Sequence, residues 1–369
     1  MPISRKIPFF KVFDALSSRK SIMNRHKKAF ERENYQKATL SYPPRWITIG
    51  ITSVCNNRCS FCAYHSIDAK DKSNVYNIPF TLGLNDFKRM VDFAHRGYIS
   101  HVHICGTGEP FFNKDVINMI DYTISVYGHS SIQTNFYKPL FDKHNYIEEI
   151  IKRGDHISYI TTDILSGDPE EHNAIKKGSN YSDVMDALEY ISSFSPIKFH
   201  INVVLTKHNY KHLSELVEDV SKRNIRATVS IVNLFAYDFN PFSSMDAVYQ
   251  SADSDMRAAL EACQRLGQSL GIKVSIPSPT DGTGQCNVFW SKVQTWPVKG
   301  IDETRGHENL VPHACRAVVL GSLNSLGYLF DYPDVMSFWN SEKLVSIRQG
   351  ILDGKYPSDE CQHCYMHHK

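Results

Sequence analysis

The sequence predicts an α/β protein built on a parallel sheet, and three observations carry that prediction. Between Trp46 and Ile276, short apolar stretches alternate with segments of helical length. Strands separated by helices need crossover connections, and such strands run parallel. The stretches with unusual chemistry follow strand ends, where parallel barrels place their sites. Six strand–helix units fit a partial (β/α)6, TIM-like barrel.

The first strand is Trp46-Ile47-Thr48-Ile49-Gly50-Ile51-Thr52, which alternates with period two. A helix is expected from Leu84 to Arg96, with Asn85 near its start and Gly97 after its end. His101 to Cys105 reads as a strand that runs into Gly106-Thr107-Gly108-Glu109-Pro110. A helix from Asp115 to Tyr127 follows, then a strand from Ser130 to Thr134 that ends at Asn135. Tyr146–Arg153 is helical, Ile157–Asp163 a strand, Tyr181–Ser193 a helix and Lys198–Leu205 a strand. Helix Lys211–Arg223, strand Thr228–Asn233, helix Ser254–Leu270 and strand Lys273–Ile276 complete the alternation. Ahead of it, residues 1–45 form a basic, partly helical extension, most helical around Ser21–Tyr35 and ended by Tyr42-Pro43-Pro44. Residues 277–313 are rich in Pro, Gly, Thr and Asp and read as a linker that lines a substrate pocket over the barrel mouth. The expected divisions are therefore 1–45, 46–276, 277–313 and 314–369.

The totals exclude several classes. A length of 369 residues accommodates one large domain and a smaller one. At 42% hydrophobic and 22% charged, the chain has the composition of an ordinary globular protein. A net charge of +2 without a long basic run argues against nucleic acid as the partner. No run of about 18 apolar residues offers a membrane span. Lys11 and Asp14 break the Ile7–Leu16 stretch, which makes it a poor signal peptide. The nine cysteines are odd in number and six of them are grouped, so a reducing cytoplasm is expected rather than secretion.

The most informative group is Cys55-Asn56-Asn57-Arg58-Cys59-Ser60-Phe61-Cys62. Three thiolates on one loop can fill three irons of a four-iron cluster and leave the fourth open to a ligand. The other reading is a zinc site completed by His65, although zinc normally takes four ligands in two close pairs. The glycine-rich turn 106–110 follows the next strand; its glycines let backbone amides and carbonyls approach a charged ligand.

Together these stretches resemble the radical S-adenosylmethionine (SAM) superfamily. The resemblance implies that Cys55, Cys59 and Cys62 hold a [4Fe-4S] cluster whose open iron binds SAM. It implies one-electron cleavage to a 5′-deoxyadenosyl radical that abstracts a substrate hydrogen, with a flavodoxin or ferredoxin as reductant. By the same resemblance, Phe61 lies near the adenine, and Gly106, Thr107, Gly108, Glu109 and Pro110 form the turn that meets the SAM amino group. Asn135 belongs to the same site. Thr161 and Asp163 match the Ser-x-Asp at the end of the fourth strand. Lys176 stands where many relatives carry an arginine for the SAM carboxylate, and offers a point charge in place of a fork.

The end of the chain resembles a twitch domain, the shortened form of the SPASM domain, a small α+β unit. Cys315 precedes a hairpin, Ala317–Leu323 and Tyr328–Tyr332; then come Ser337-Phe338-Trp339-Asn340-Ser341, a helix to Leu352, and Cys361-Gln362-His363-Cys364. The resemblance implies a second, auxiliary [4Fe-4S] cluster on Cys315, Cys361 and Cys364. The place of the family's remaining cysteine holds Asp331 or Tyr332 here; Asp331 is the expected fourth ligand, and the alternative is an open iron able to bind substrate. His363, His367 and His368 are weaker candidates, and a structural zinc on the same cysteines is the alternative.

The implied activity is oxidation of a small molecule, such as a sugar- or aminocyclitol-like natural-product intermediate. Residues 1–45 are short for a leader-peptide recognition domain, and no cobalamin domain precedes the core. Radical epimerisation and peptide maturation are the alternatives within the family. Epimerisation needs a thiol to return hydrogen, for which Cys286 and Cys105 are the candidates, whereas Cys263 reads as core. Outside the family, the alternative is a non-catalytic metal-binding module, which has no need of Glu109.

Overall fold

The computed structural model describes residues 9–62, 64–66, 80–234, 248–279, 285–286, 288–296, 311–313, 329–355 and 367–368, and all structural statements concern these. Strands β1 (Trp46–Gly50), β2 (His101–Cys105), β3 (Ser130–Gln133), β4 (Ile157–Asp163), β5 (Phe199–Leu205), β6 (Ala227–Asn233) and β7 (Val274–Ser275) follow one another in chain order across one sheet. Every neighbouring pair among them is parallel. A two-residue pairing of β8 (Gln285–Cys286) with the end of the chain, β11 (His367–His368), stands apart as a second sheet.

Helices α2 (Leu84–Arg96), α3 (Val116–Tyr127), α7 (Tyr181–Phe194), α8 (Leu213–Lys222) and α9 (Ser254–Ser269) fall where the sequence places them. The expected helix α5 (Tyr146–Ile151) is shorter than the sequence suggests, and two short helices are additional: α4 (Lys138–His144) and α6 (Pro169–Ile175). Helix α6 starts on a capping pattern, because Asp168 accepts the Glu171 N–H at 2.7 Å and Pro169 occupies the first helical position. Helix α1 (Phe9–Glu33) is longer than the basic stretch alone suggests.

Strand alternation decides which residues reach the barrel interior. On β5, Phe199, Ile201, Val203 and Leu205 are buried, whereas His200, Asn202 and Val204 face the opposite way and are partly open. Ile47, Ile49, Val102, Ile104, Ile132 and Ile160 join the apolar core with helix residues such as Phe87, Met90, Met119 and Leu188. Most TIM barrels fill the inside with branched apolar side chains. Here the floor is a polar aromatic stack. Tyr159 lies face to face with His200 at 4.2 Å, His101 at 5.5 Å and His103 at 5.7 Å. Ser131 Oγ bonds both His101 Nε2 at 2.7 Å and His103 Nδ1 at 2.9 Å.

Two expectations need correction. The 277–313 segment is not loop throughout: Lys292–Trp296 form strand β9, parallel to β1, and Val311–His313 form β10, antiparallel to β9 at the sheet edge. Val293 and Thr295 point into the core while Lys292 and Gln294 do not, which is a strand pattern. Trp290 is fully buried below it and donates from Nε1 to Lys37 O at 2.8 Å, so it does not line a pocket. In the expected hairpin, Leu329–Asp331 is a single 3-10 turn rather than strand; its partner 317–323 lies outside the described residues.

The C-terminal helices α10 (Val335–Trp339) and α11 (Glu342–Leu352) dock on the segment before β1. Asn340 exchanges two hydrogen bonds with the Leu40 backbone, both 2.9 Å. Arg348 is fully buried over the Trp339 ring and donates to Phe289 O and Ala38 O. An Arg needs such carbonyl partners when it leaves water. Among the described residues, no helix is long and apolar enough to cross a membrane.

Candidate active site

The cavity at the carboxyl ends of the strands measures about 290 Å³. Its wall is assembled from the ends of six consecutive strands. Cys55, Asn57, Cys59, Phe61 and Cys62 come from the loop after β1, and Gly106, Thr107 and Gly108 from the turn after β2. Gln133 and Asn135 come from β3, Asp163 and Leu165 from β4, Asn202 and Val204 from β5, and Val232, Asn233 and Leu234 from β6. Lys176, at the end of α6, closes the side next to the cysteines.

The cysteine loop is held by two backbone bonds to a remote segment and one within itself. Arg58 N donates to Lys177 O at 2.7 Å, Ser60 N to Ile175 O at 2.9 Å, and Cys62 N to Cys59 O at 3.0 Å. The glycines beside it are required by space. A Cβ on Gly106 would stand 2.5 Å from Thr52 O, and one on Gly108 2.1 Å from Val54 O, so the turn lies against the loop backbone.

Lys176 is 1% exposed, and its Nζ donates to Asp163 O at 2.7 Å. An ammonium has three donors, so a buried one on a cavity wall is suited to an anionic ligand. Burial pushes the Cys55 thiol up to about 11, with Glu109 and Cys62 adding to the effect, and raises the Cys59 thiol as well, with the neighbouring cysteines and Asp163 adding. Free thiolates are therefore disfavoured, and deprotonation would accompany binding of cationic iron.

Three half-buried thiols, a glycine cradle and an unpartnered buried amide, Asn57 Nδ2, on one wall fit an iron–sulfur cluster. Among the described residues, no group of three or more His, Cys, Asp or Glu side chains is arranged to hold a single ion. The thiolate ligands of a four-iron cluster stand farther apart than those of one zinc. His65, the expected completion of a zinc site, has its Nε2 3.1 Å from Thr107 O and ties the cysteine loop to the glycine turn.

Not every expected residue reaches the cavity. Glu109 and Pro110 are buried away from it. The Glu109 carboxylate accepts from Phe111 N at 3.1 Å, Thr134 Oγ1 at 2.8 Å and Asn135 N, so it pins the turn to the end of β3. Burial pushes its carboxyl up to about 7, against those three donors. Thr161 and Cys105 are also buried and lie outside the wall. Asp331 is an exposed residue of the 3-10 turn. Cys315, Cys361, Cys364 and the Cys286 side chain lie outside the described residues.

The sequence reading missed the neutral amides Asn57, Gln133, Asn202 and Asn233. The signal for two was available: Asn202 shares a parity with His200 and Val204 on a strand whose other face is wholly apolar, and Asn233 ends the next strand. A separate cavity of about 350 Å³ on the outer surface, lined by Lys138, Asp142, Glu148 and Tyr190, contains none of the candidate residues.

Residues 49–220 match the family model of the Radical SAM superfamily. Two relatives align with part of the chain. A GTP 3′,8-cyclase from Synechococcus elongatus is 27% identical over 185 residues, 49% of this chain and 53% of that protein. A probable dual-specificity RNA methyltransferase RlmN from Exiguobacterium sibiricum is 22% identical over 244 residues, 64% of this chain and 66% of that protein. The chain thus spans between half and two thirds of the length of these curated relatives. Among solved structures, Streptococcus suis SuiB bound to S-adenosylmethionine superposes with a TM-score of 0.65 at 16% identity, covering 93% of this chain and 74% of that one. Native anSMEcpe with bound AdoMet gives 0.55 at 15% identity and 86% coverage of each chain. The cysteine loop and the glycine turn against it both lie within residues 49–220, the stretch that matches the Radical SAM superfamily, so this part of the chain is a radical SAM domain.

Proposed function

We propose that the chain oxidises a neutral, hydroxyl-bearing small molecule of the sugar or aminocyclitol kind by radical SAM chemistry. The observation that carries this reading is the set of neutral amides on the cavity wall. There Gln133, Asn202 and Asn233 offer amides, and Asn233 is 3% exposed with its Oδ1 unpartnered. The Asn233 Nδ2 donates to Ser278 O at 2.6 Å, which fixes the amide and leaves an acceptor for an O–H or N–H of the ligand.

A [4Fe-4S] cluster on Cys55, Cys59 and Cys62 supplies one electron to SAM when both are bound. Lys176 would hold the SAM carboxylate, the Gly106–Gly108 backbone its amino group, and Phe61 would lie near the adenine. Asn202 and Asn233 would orient the substrate. A second cluster on Cys315, Cys361 and Cys364, with Asp331 as fourth ligand, would accept the electron left on the substrate. Cys105 is buried behind the wall; this favours oxidation over an epimerisation that uses it as hydrogen donor.

The test is anaerobic turnover with SAM, a reductant, and a panel of deuterated polyols, aminocyclitols and short peptides. Deuterium in 5′-deoxyadenosine and a polyol product lighter by two hydrogens is the expected result. Isotope transfer from peptides alone would replace the small molecule by a peptide, and a product of unchanged oxidation state would replace oxidation by epimerisation.

A further inference from the structure

The cysteine loop contains an amide chain whose polarity is fixed. Asn56 Nδ2 donates to Gly178 O at 3.2 Å. A backbone carbonyl only accepts, so the other amide atom, Asn56 Oδ1, must be the acceptor on the far side. It receives Asn135 Nδ2 at 3.3 Å. The same Asn135 nitrogen points its second hydrogen at Cys55 Sγ, 3.6 Å away. In the other direction Asn56 Nδ2 donates to Asn57 Oδ1 at 2.5 Å. Asn57 must then present its NH2, and that nitrogen is buried with no partner.

Further contacts make the chain rigid. The Asn135 backbone N–H is held by Glu109. Gly178 has φ +92°, and a Cβ there would stand 2.7 Å from Asn56 O. Arg58 Nη1 bridges the carbonyls of Cys55 and Asn57. Asn57, at 2% exposure, lies on the same wall as the three cysteines. A buried amide nitrogen without an acceptor is unfavourable unless a ligand satisfies it.

We propose that Asn135, Asn56 and Asn57 form an amide relay that aims N–H donors at the sulfur of the bound cluster from both ends and raises its reduction potential. Donors to sulfur favour the reduced, more negative cluster. The relay acts through position and not by ligating iron. The proposal rests on the radical SAM reading of the cysteine loop and is independent of which substrate is oxidised.

The experiment uses the full chain, reconstituted anaerobically, with Asn57→Leu and Asn57→Asp. Leucine keeps the volume and removes the donor. Aspartate keeps the acceptor for Asn56 and replaces the free N–H by an oxygen. Iron and sulfide are counted first. The midpoint potential is then read by electron paramagnetic resonance on the signal that shifts when SAM is added, which marks the cluster with the open iron. Each variant is expected to retain its iron and to lower the reduced-to-oxidised ratio at fixed potential about tenfold, a shift of about 59 mV for one electron. Asn56→Leu should shift it in the same direction. A variant with full iron and an unchanged midpoint would overturn the proposal. Loss of the cluster from both Asn57 variants would overturn it too, by making Asn57 a support of the loop. Wild-type chain that binds no iron would instead defeat the cluster assignment itself.

Discussion

Lys176→Met separates a ligand-binding lysine from a structural one, because the two roles predict opposite changes. Lys176 is almost wholly buried, and its Nζ contacts Asp163 O. Taking an ammonium out of water is unfavourable by several kcal/mol unless it is well paired. Methionine fills a similar volume without a charge, so unfolding of the apo chain in urea should show equal or greater stability. Against the SAM carboxylate the same change removes a hydrogen bond between charged groups, worth about 1.5–3 kcal/mol. That corresponds to a SAM dissociation constant raised about 10- to 150-fold. Equilibrium dialysis of SAM against reconstituted protein measures it, with iron content as a control. A dissociation constant within about threefold of wild type, or a stability loss above about 2 kcal/mol, would refute the assignment.

Other predictions follow from the same geometry. Gly108→Ala sets a Cβ 2.1 Å from Val54 O, so the turn must move; a stability loss of about 1–3 kcal/mol with weakened SAM binding is expected, read by urea unfolding and dialysis. Burial holds His101 at about 4 and His103 at about 3, below the ordinary histidine value of 6.5. Folded-state values this low mean the unfolded chain binds protons first, so stability is fully present above pH 6.5 and is lost as pH falls towards 4. The urea midpoint should fall over that window, and less so in His101→Gln. Changing Cys361 and Cys364 together to alanine should reduce iron from about eight to about four per chain, as loss of one four-iron cluster requires, while uncoupled SAM cleavage persists. In a separate variant with those cysteines intact, Asp331→Ala should alter the spectrum of the auxiliary cluster; an unchanged spectrum removes Asp331 from its shell.

The parts of the fold legible in the sequence are those written locally. Each core strand carries its own alternation, and the cysteine loop and glycine turn are contiguous motifs at strand ends. What was not legible depends on remote partners. Strand β9 is five residues long, and its neighbour β1 lies far back in the chain. Glu109 belongs to a motif that suggests a ligand contact, yet Thr134 and Asn135, from the next strand, turn its carboxylate inward. Asn57 reads as a spacer between cysteines. Its role emerges only when Gly178, more than a hundred residues on, fixes the direction of the amides. The inward amide of β5, Asn202, was within reach, because its parity with His200 and Val204 is visible in the sequence; Asn233 shares the parity of the core residues Val229 and Ile231, so alternation does not reveal it.

The most direct test of the central claim is 5′-deoxyadenosine formation by the anaerobically reconstituted chain under reducing conditions, compared with a Cys55→Ala, Cys59→Ala, Cys62→Ala triple variant. The account predicts SAM cleavage by the wild type and none by the variant, even where the variant retains iron at its C-terminal cysteines. Cleavage that survives loss of all three cysteines, or a wild-type chain that binds zinc and never cleaves SAM, would contradict it.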